Sequence, residues 1–280
     1  MSNTIWNFET EHVTGRFYSD GMALKSTIND RKTGAEVGEI LLPYRLLSRS
    51  GWHGEARDMP HQSRLLDDGI ECEWSPTVSH PANLRITTRL VSPNAINIEV
   101  EVRADATLPD FELFYSCYFR PPMCGGAYVA SLPREQPAVP GWTQVLPQSA
   151  DFYREMYVAF PRDERAAALI CDGRWQRGRH FTRFLPCRYH AAPLGFYWNH
   201  TTSLCALLMA PPEDAYSVSM AYQTTEERDD VGHHNSLYIS LFGRDIHAGE
   251  TARACLRMIL DRSGCDPMAH RAHYRSFLDK

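Results

Sequence analysis

Residues Pro81 to Pro122 decide the fold. They read Pro81-Ala-Asn-Leu84, then Leu84-Arg-Ile-Thr-Thr-Arg-Leu-Val91, Asn94-Ala-Ile-Asn-Ile-Glu-Val-Glu-Val102 and Phe111-Glu-Leu-Phe-Tyr-Ser-Cys-Tyr-Phe-Arg120. Apolar and polar residues alternate along each run, and short polar turns join the runs. A period of two marks strands with one face buried and one wet.

The same grammar extends in both directions. Ala23–Asp30 precedes the turn-prone Arg31-Lys-Thr-Gly34, a hairpin connection to Val37–Leu47. Strand-like runs follow at Ile70–Trp74, Tyr157–Phe160, Ala166–Cys171, Gly195–Trp198, Ser203–Met209, Tyr216–Tyr222 and Leu237–Phe242. Thr251–Leu260 alternates with Ala252, Ala254, Leu256, Met258 and Leu260 on one face. Helix is expected only at Pro267–Lys280, capped by Asp266 with Pro267 at its first position, and in a short segment or lid at Gln148–Arg154. Two long stretches read as irregular, Arg49–Asp68 and the six-proline stretch Pro121–Gln148. Such loops are usually functional or disordered, and the first gathers Trp, His, Glu, Arg and Asp.

The chain has 280 residues and a formal net charge of −5, enough to bury a large core in one all-β domain spanning residues 1–280. A mildly acidic balance leaves no electrostatic footprint for nucleic acid or an anionic membrane. No apolar run spans a bilayer and no secretory signal is visible at the N-terminus. None of the eight cysteines forms a C-x-x-C pair. Cys72, Cys171, Cys205 and Cys255 sit in strand-like runs, where a buried free thiol acts as a small hydrophobe, and a reducing cytoplasm is expected.

Four segments resemble the aldose 1-epimerase (galactose mutarotase) family in order and spacing. Trp52-His53-Gly54 is similar to its His-Gly-Gly substrate loop, and His80-Pro81-Ala-Asn-Leu84 to its Pro-Gly-Asn-Leu. Ser116-Cys-Tyr-Phe-Arg120 resembles its Asn-His-[Thr/Ser]-Tyr-Phe-Asn strand. Glu226 or Glu227, then His233-His234, then Gly249-Glu250-Thr251 are similar to its catalytic Glu, Asn-His-Pro and Pro-Gly-Glu-Thr. The resemblance implies a galactose-mutarotase-like β-supersandwich with a short C-terminal helix, binding a sugar in a concave sheet.

In that family a strand His protonates the ring oxygen while the late Glu takes the proton of the anomeric hydroxyl. Aligning Tyr118-Phe119 puts Ser116 at the position of that His. A serine hydroxyl cannot donate a proton near pH 7 as an imidazole can. The resemblance therefore implies acid–base work on a sugar with Glu226 or Glu227 as base and His53 or His234 as acid. Trp52, Arg57, His61, Ser116, Tyr118, His200 and His233 would contact substrate. The expected partner is a small-molecule carbohydrate, without cofactor.

Plainer meanings stand beside these. His53 can be a surface histidine, and Glu226-Glu227 a solvated acidic turn. Adjacent His233 and His234 point to opposite faces of a strand. They could join His53 or His61 around a metal, but no H-x-H or H-E-x-x-H spacing supports one. Tyr197, Asn199 and His200 have the residue types of a polysaccharide lyase, or simply pack two strands at a turn. Arg174, Arg177, Arg179 and Arg183 could bind an acidic sugar or form a solvated basic hairpin tip. A non-catalytic sugar-binding protein and a ligand-free structural domain are the remaining alternatives.

Overall fold

The computed structural model describes residues 3–146, 157–176, 184–221 and 235–279. In chain order its strands are β1 (Thr4–Glu9), β2 (Val13–Ser19), β3 (Leu24–Asp30), β4 (Glu36–Ser48), β5 (Gly51–Glu55), β6 (Gln62–Leu65), β7 (Gly69–Trp74), β8 (Ala82–Ser92), β9 (Ala95–Ala104) and β10 (Leu108–Phe119). There follow β11 (Met123–Ala130), β12 (Trp142–Val145), β13 (Tyr157–Pro161), helix α1 (Glu164–Cys171), β14 (Phe184–Pro186), β15 (His190–Asn199), β16 (Cys205–Met209), β17 (Ala215–Ala221), β18 (Asn235–Ile246), β19 (Thr251–Asp261) and helix α2 (Pro267–Leu278).

They form two sheets. The first runs β1-β2-β3-β4-β10-β18-β17-β13-β14, with β5 added alongside β4. The second runs β12-β11-β15-β16-β19-β9-β8-β7-β6. Neighbours pair antiparallel, except that β13 and β14 run parallel. The three runs that opened the sequence are β8, β9 and β10. β8 and β9 form a hairpin in the second sheet, and β10 crosses to the centre of the first.

Alternation places the core between the sheets. Leu113, Tyr115, Cys117 and Phe119 of β10 point into it, as do Ile96, Ile98, Val100 and Val102 of β9. Ala252, Ala254, Leu256, Met258 and Leu260 join them as expected. Smaller apolar clusters cover the two outer faces. α2 lays Tyr274 and Phe277 against Leu207, Met209 and Ile259 of the second sheet. α1 lays Leu169 and Ile170 beside Phe114 and Trp175 on the first. Asp266 caps α2 by accepting from the Met268 N–H at 2.9 Å.

Several expectations change. Ala166–Cys171 is the body of α1 rather than a strand. Asp163 accepts from the Ala166 N–H at 2.9 Å, an N-cap before an alanine-rich run whose buried residues fall at helical spacing. Cys171 consequently ends that helix exposed, not buried in a sheet. β1 and β2, unread in the sequence, alternate cleanly and bury Trp6, Phe8, Val13 and Phe17. The two stretches read as irregular carry β5, β6, β11 and β12. The segment at 148–154 lies outside the described residues.

Candidate functional site

The outer face of the first sheet, turned away from the core, holds the polar groups. On β10 the residues alternating with the core set are Glu112, Phe114, Ser116 and Tyr118. Register sets Phe114, Ser116 and Tyr118 opposite Ser240, Tyr238 and Ser236 of β18. Phe114 stacks on Tyr238 with centroids 4.5 Å apart, and Tyr118 meets Tyr238 edge-on at 6.0 Å. From β4, Tyr44 lies 6.3 Å from Phe114.

Arg57 closes over this aromatic floor. It sits in the 3₁₀ turn Ala56–Asp58 directly after β5, and its guanidinium carbon lies 4.3 Å from the Tyr44 ring centre and 5.4 Å from that of Tyr118. Arg45 reaches the same Tyr44 ring at 5.1 Å. Asp58 forms an ion pair with Arg57, carboxylate to Nε 3.6 Å, and the Tyr118 phenol is its hydrogen-bond partner. Burial opposes its charge, but Tyr118, Tyr44, Asp58 and Glu55 outweigh that and raise its pKa, so it stays a cation. Burial also raises the Tyr44, Tyr118 and Tyr157 phenols, keeping them neutral hydrogen-bond donors.

Glu55 completes the cluster. It stands opposite Arg45 in the β4–β5 register, is buried, and its Oε1 has no partner among the described residues. Sequence reading passed over Glu55, Tyr44 and Tyr157. The available signal was Tyr44-Arg45 inside the otherwise apolar strand Leu41–Leu47. A cation there needs a partner or a task.

The other side of this face is plugged. Trp175 gives its indole N–H to both Glu112 oxygens, at 2.8 and 2.7 Å, and packs edge-on against Phe184. Arg174 is fully buried, bonded to Asp172 and to the Asp110 carbonyl. It is therefore neither a solvated hairpin tip nor a ligand-facing cation. Arg177, Arg179 and Arg183 lie outside the described residues.

The sequence-expected residues divide sharply. Arg57 and Tyr118 meet in the cluster, and Ser116 lies beside the Tyr118 phenol. Ser116 itself is fully buried and donates to the Leu42 carbonyl at 3.2 Å. Both His53 ring nitrogens are engaged: Nδ1 faces the Ser79 carbonyl at 2.7 Å and Nε2 the Ser48 hydroxyl at 2.8 Å, which ties β5 to the end of β4 and to the bend before β8. His61 likewise has both ring nitrogens engaged, buried between the Ser19 hydroxyl and the Met59 carbonyl against Trp74. His200 is exposed at the tip of the β15–β16 hairpin, where Asn199 caps the turn; nothing links it to Arg57. Tyr197 packs on Phe119 at 4.3 Å inside the core, so the lyase-like trio does not converge. Trp52 is 38% exposed on β5. Glu226, Glu227, His233 and His234 lie outside the described residues. Among the described residues no group of three or more His, Cys, Asp or Glu side chains is arranged to hold a metal, and no helix is long and apolar enough to cross a membrane.

Two packed antiparallel sheets of this order define a galactose-mutarotase-like β-supersandwich. No family model matches the chain, and no curated protein matches it at the level of sequence. The likeness is in three dimensions. The GalM/aldose epimerase homologue from C. elegans superposes with a TM-score of 0.55 at 8% identity, covering 93% of this chain and 99% of that one. The Slr1438 protein from Synechocystis sp. PCC 6803 superposes with a TM-score of 0.52 at 13% identity, covering 92% and 96%. At such identity the likeness establishes the fold alone.

Proposed function

We propose that this chain is a diverged mutarotase-like protein that binds a sugar or sugar derivative on the outer face of its first sheet. Arg57, Tyr44, Tyr118 and Glu55 would form the grip. The observation that carries the reading is the Arg57 guanidinium laid over Tyr44 and Tyr118. Stacking fixes the plane of the fork, and a fixed fork suits two adjacent hydroxyls or an anionic substituent on a pyranose. The neutral phenols add donors and Glu55 an acceptor.

One observation favours chemistry as well as binding. Glu55 Oε1 is buried and unpartnered among the described residues, and its side chain acts on the Tyr44 phenol, which burial keeps protonated. A carboxylate base and a phenol acid can divide the work that Ser116 cannot do. Glu226 and Glu227 remain the second source of a base.

The test is thermal shift of the full chain against aldoses, uronates and sugar phosphates, followed by mutarotation, epimerisation and elimination assays on any ligand found. A bound sugar raises Tm. Arg57→Ala should abolish the shift, and Arg57→Lys should keep little of it. A panel in which no compound raises Tm overturns the reading in favour of a ligand-free structural domain. Binding without turnover, unchanged in Glu55→Gln and in Glu226→Gln/Glu227→Gln, leaves the protein a sugar binder only.

A further inference from the structure

The same outer face continues beyond β4 across β3, β2 and β1, where it forms a groove of about 570 Å³. Register builds it row by row. Glu9, Thr14 and Asn29 stand side by side across three strands, and Asn7, Arg16 and Thr27 form the next row. All six point away from the core, because Phe8, Val13, Phe17 and Ile28 occupy the alternate positions. Tyr18 lies one row further along, with the Arg16 guanidinium carbon 5.9 Å from its ring centre. Apart from a 2.9 Å ion pair from Arg31 to Glu9, none of the six makes a side-chain hydrogen bond to a described residue.

The chemistry of this groove selects its occupant. A protein partner would need several apolar anchors at the centre of the patch; six of the eight residues lining this groove are polar or charged, and the other two are Phe8 and Gly15. A nucleic acid would need excess positive charge, but Glu9 and Arg16 cancel. A saccharide carries alternating donors and acceptors around its ring, as these rows do, together with an apolar face suited to an aromatic ring such as Tyr18. The volume lies within the usual range for a ligand site. Register sets Ile28 opposite Gly38 of β4 and Gly38 opposite Phe119 of β10, so the groove rows run on across β4 toward Tyr118, which pairs with Glu39.

We infer that the β1–β3 groove is a second carbohydrate subsite, holding the distal residues of an oligosaccharide whose terminal sugar lies at Arg57. This rests on the reading of the Arg57 cluster as a sugar site, and it makes the ligand a chain rather than a single sugar.

Calorimetric titration of the full chain with cello-, malto-, xylo- and galacturono-oligosaccharides of one to six residues tests it. Affinity should rise with length in one series. Arg16→Ala/Asn29→Ala, one exposed and one half-buried position, should cost the longer members about tenfold and leave the shortest binder unchanged. Affinity independent of length, or equal loss at every length, overturns the subsite. Binding abolished by Arg57→Ala but untouched at all lengths by the groove variant also overturns it, while the Arg57 reading stands. No binding by any member overturns both.

Discussion

The indole N–H of Trp175 points between the two oxygens of Glu112, 2.8 and 2.7 Å away, on a strand face where neither residue meets solvent. Burial raises the Glu112 carboxyl, and Arg174, 4.0 Å away, pulls it back. The pair fixes the turn after α1 onto the sheet and so bounds the Arg57 cluster on one side. Trp175→Phe keeps most of the packing and removes the donor. It should destabilise the fold by about 1–3 kcal/mol in urea denaturation, because a buried carboxylate loses a hydrogen bond. Adding Glu112→Gln should recover part of that loss, since a neutral amide is cheaper to bury. An additive double variant would show that the bond contributes nothing.

Acid should weaken the protein early. His80, His190 and His270 are buried, and burial pushes each imidazole down to about 4. Between that value and the ordinary 6.5 the unfolded chain binds more protons than the native one, so stability falls as pH drops through this window. Each ring contributes of order 2–3 kcal/mol. Asp261, held at about 2 and linked by hydrogen bonds to His273 and Ser263, adds its loss only below the ordinary carboxylate range. Glu112 acts in the opposite sense. Tm measured from pH 7.5 to 4 should fall continuously. His80→Leu should flatten the curve without loss at pH 7.5, because neither His80 ring nitrogen has a partner among the described residues.

Gly38 holds the site strand in place. A Cβ there would lie 2.0 Å from the Tyr118 carbonyl oxygen and 2.9 Å from the Phe119 Cα. Both are backbone atoms of β10, so no rotamer change relieves the clash. Gly38→Ala should destabilise by roughly 2 kcal/mol or more and weaken the proposed sugar binding through displaced Tyr118. Unchanged Tm and unchanged affinity would contradict this.

Thiol chemistry separates the cysteines by fold position. Cys171 and Cys187 are exposed, whereas Cys72 and Cys117 are buried and burial lifts both thiols to about 12. An aromatic disulfide reagent at pH 8 should modify Cys171 and Cys187 in the native protein. Cys72 and Cys117 should react only after unfolding. Mass mapping after brief labelling distinguishes the two groups.

The sequence by itself determined the architecture. Period-two alternation in β8, β9, β10 and β19 assigns each side chain a face, and the faces require two sheets over one core. The Asp266-Pro267 start is equally local, because a cap and a fixed φ act within one turn. Alternation misled at Ala166–Cys171, where a short apolar run serves helix or strand and Asp163 three residues earlier settles it. Tertiary structure alone brought the candidate site together. Arg57 and Tyr118 are 61 positions apart in the chain, and their meeting depends on β10 pairing with β4 while β5 turns back beside β4. His53 carries the same imidazole that catalysis would need, yet the Ser48 hydroxyl and the Ser79 carbonyl occupy both of its nitrogens. Residue type states which proton a side chain could move; only the neighbours brought by the fold determine whether that proton is free.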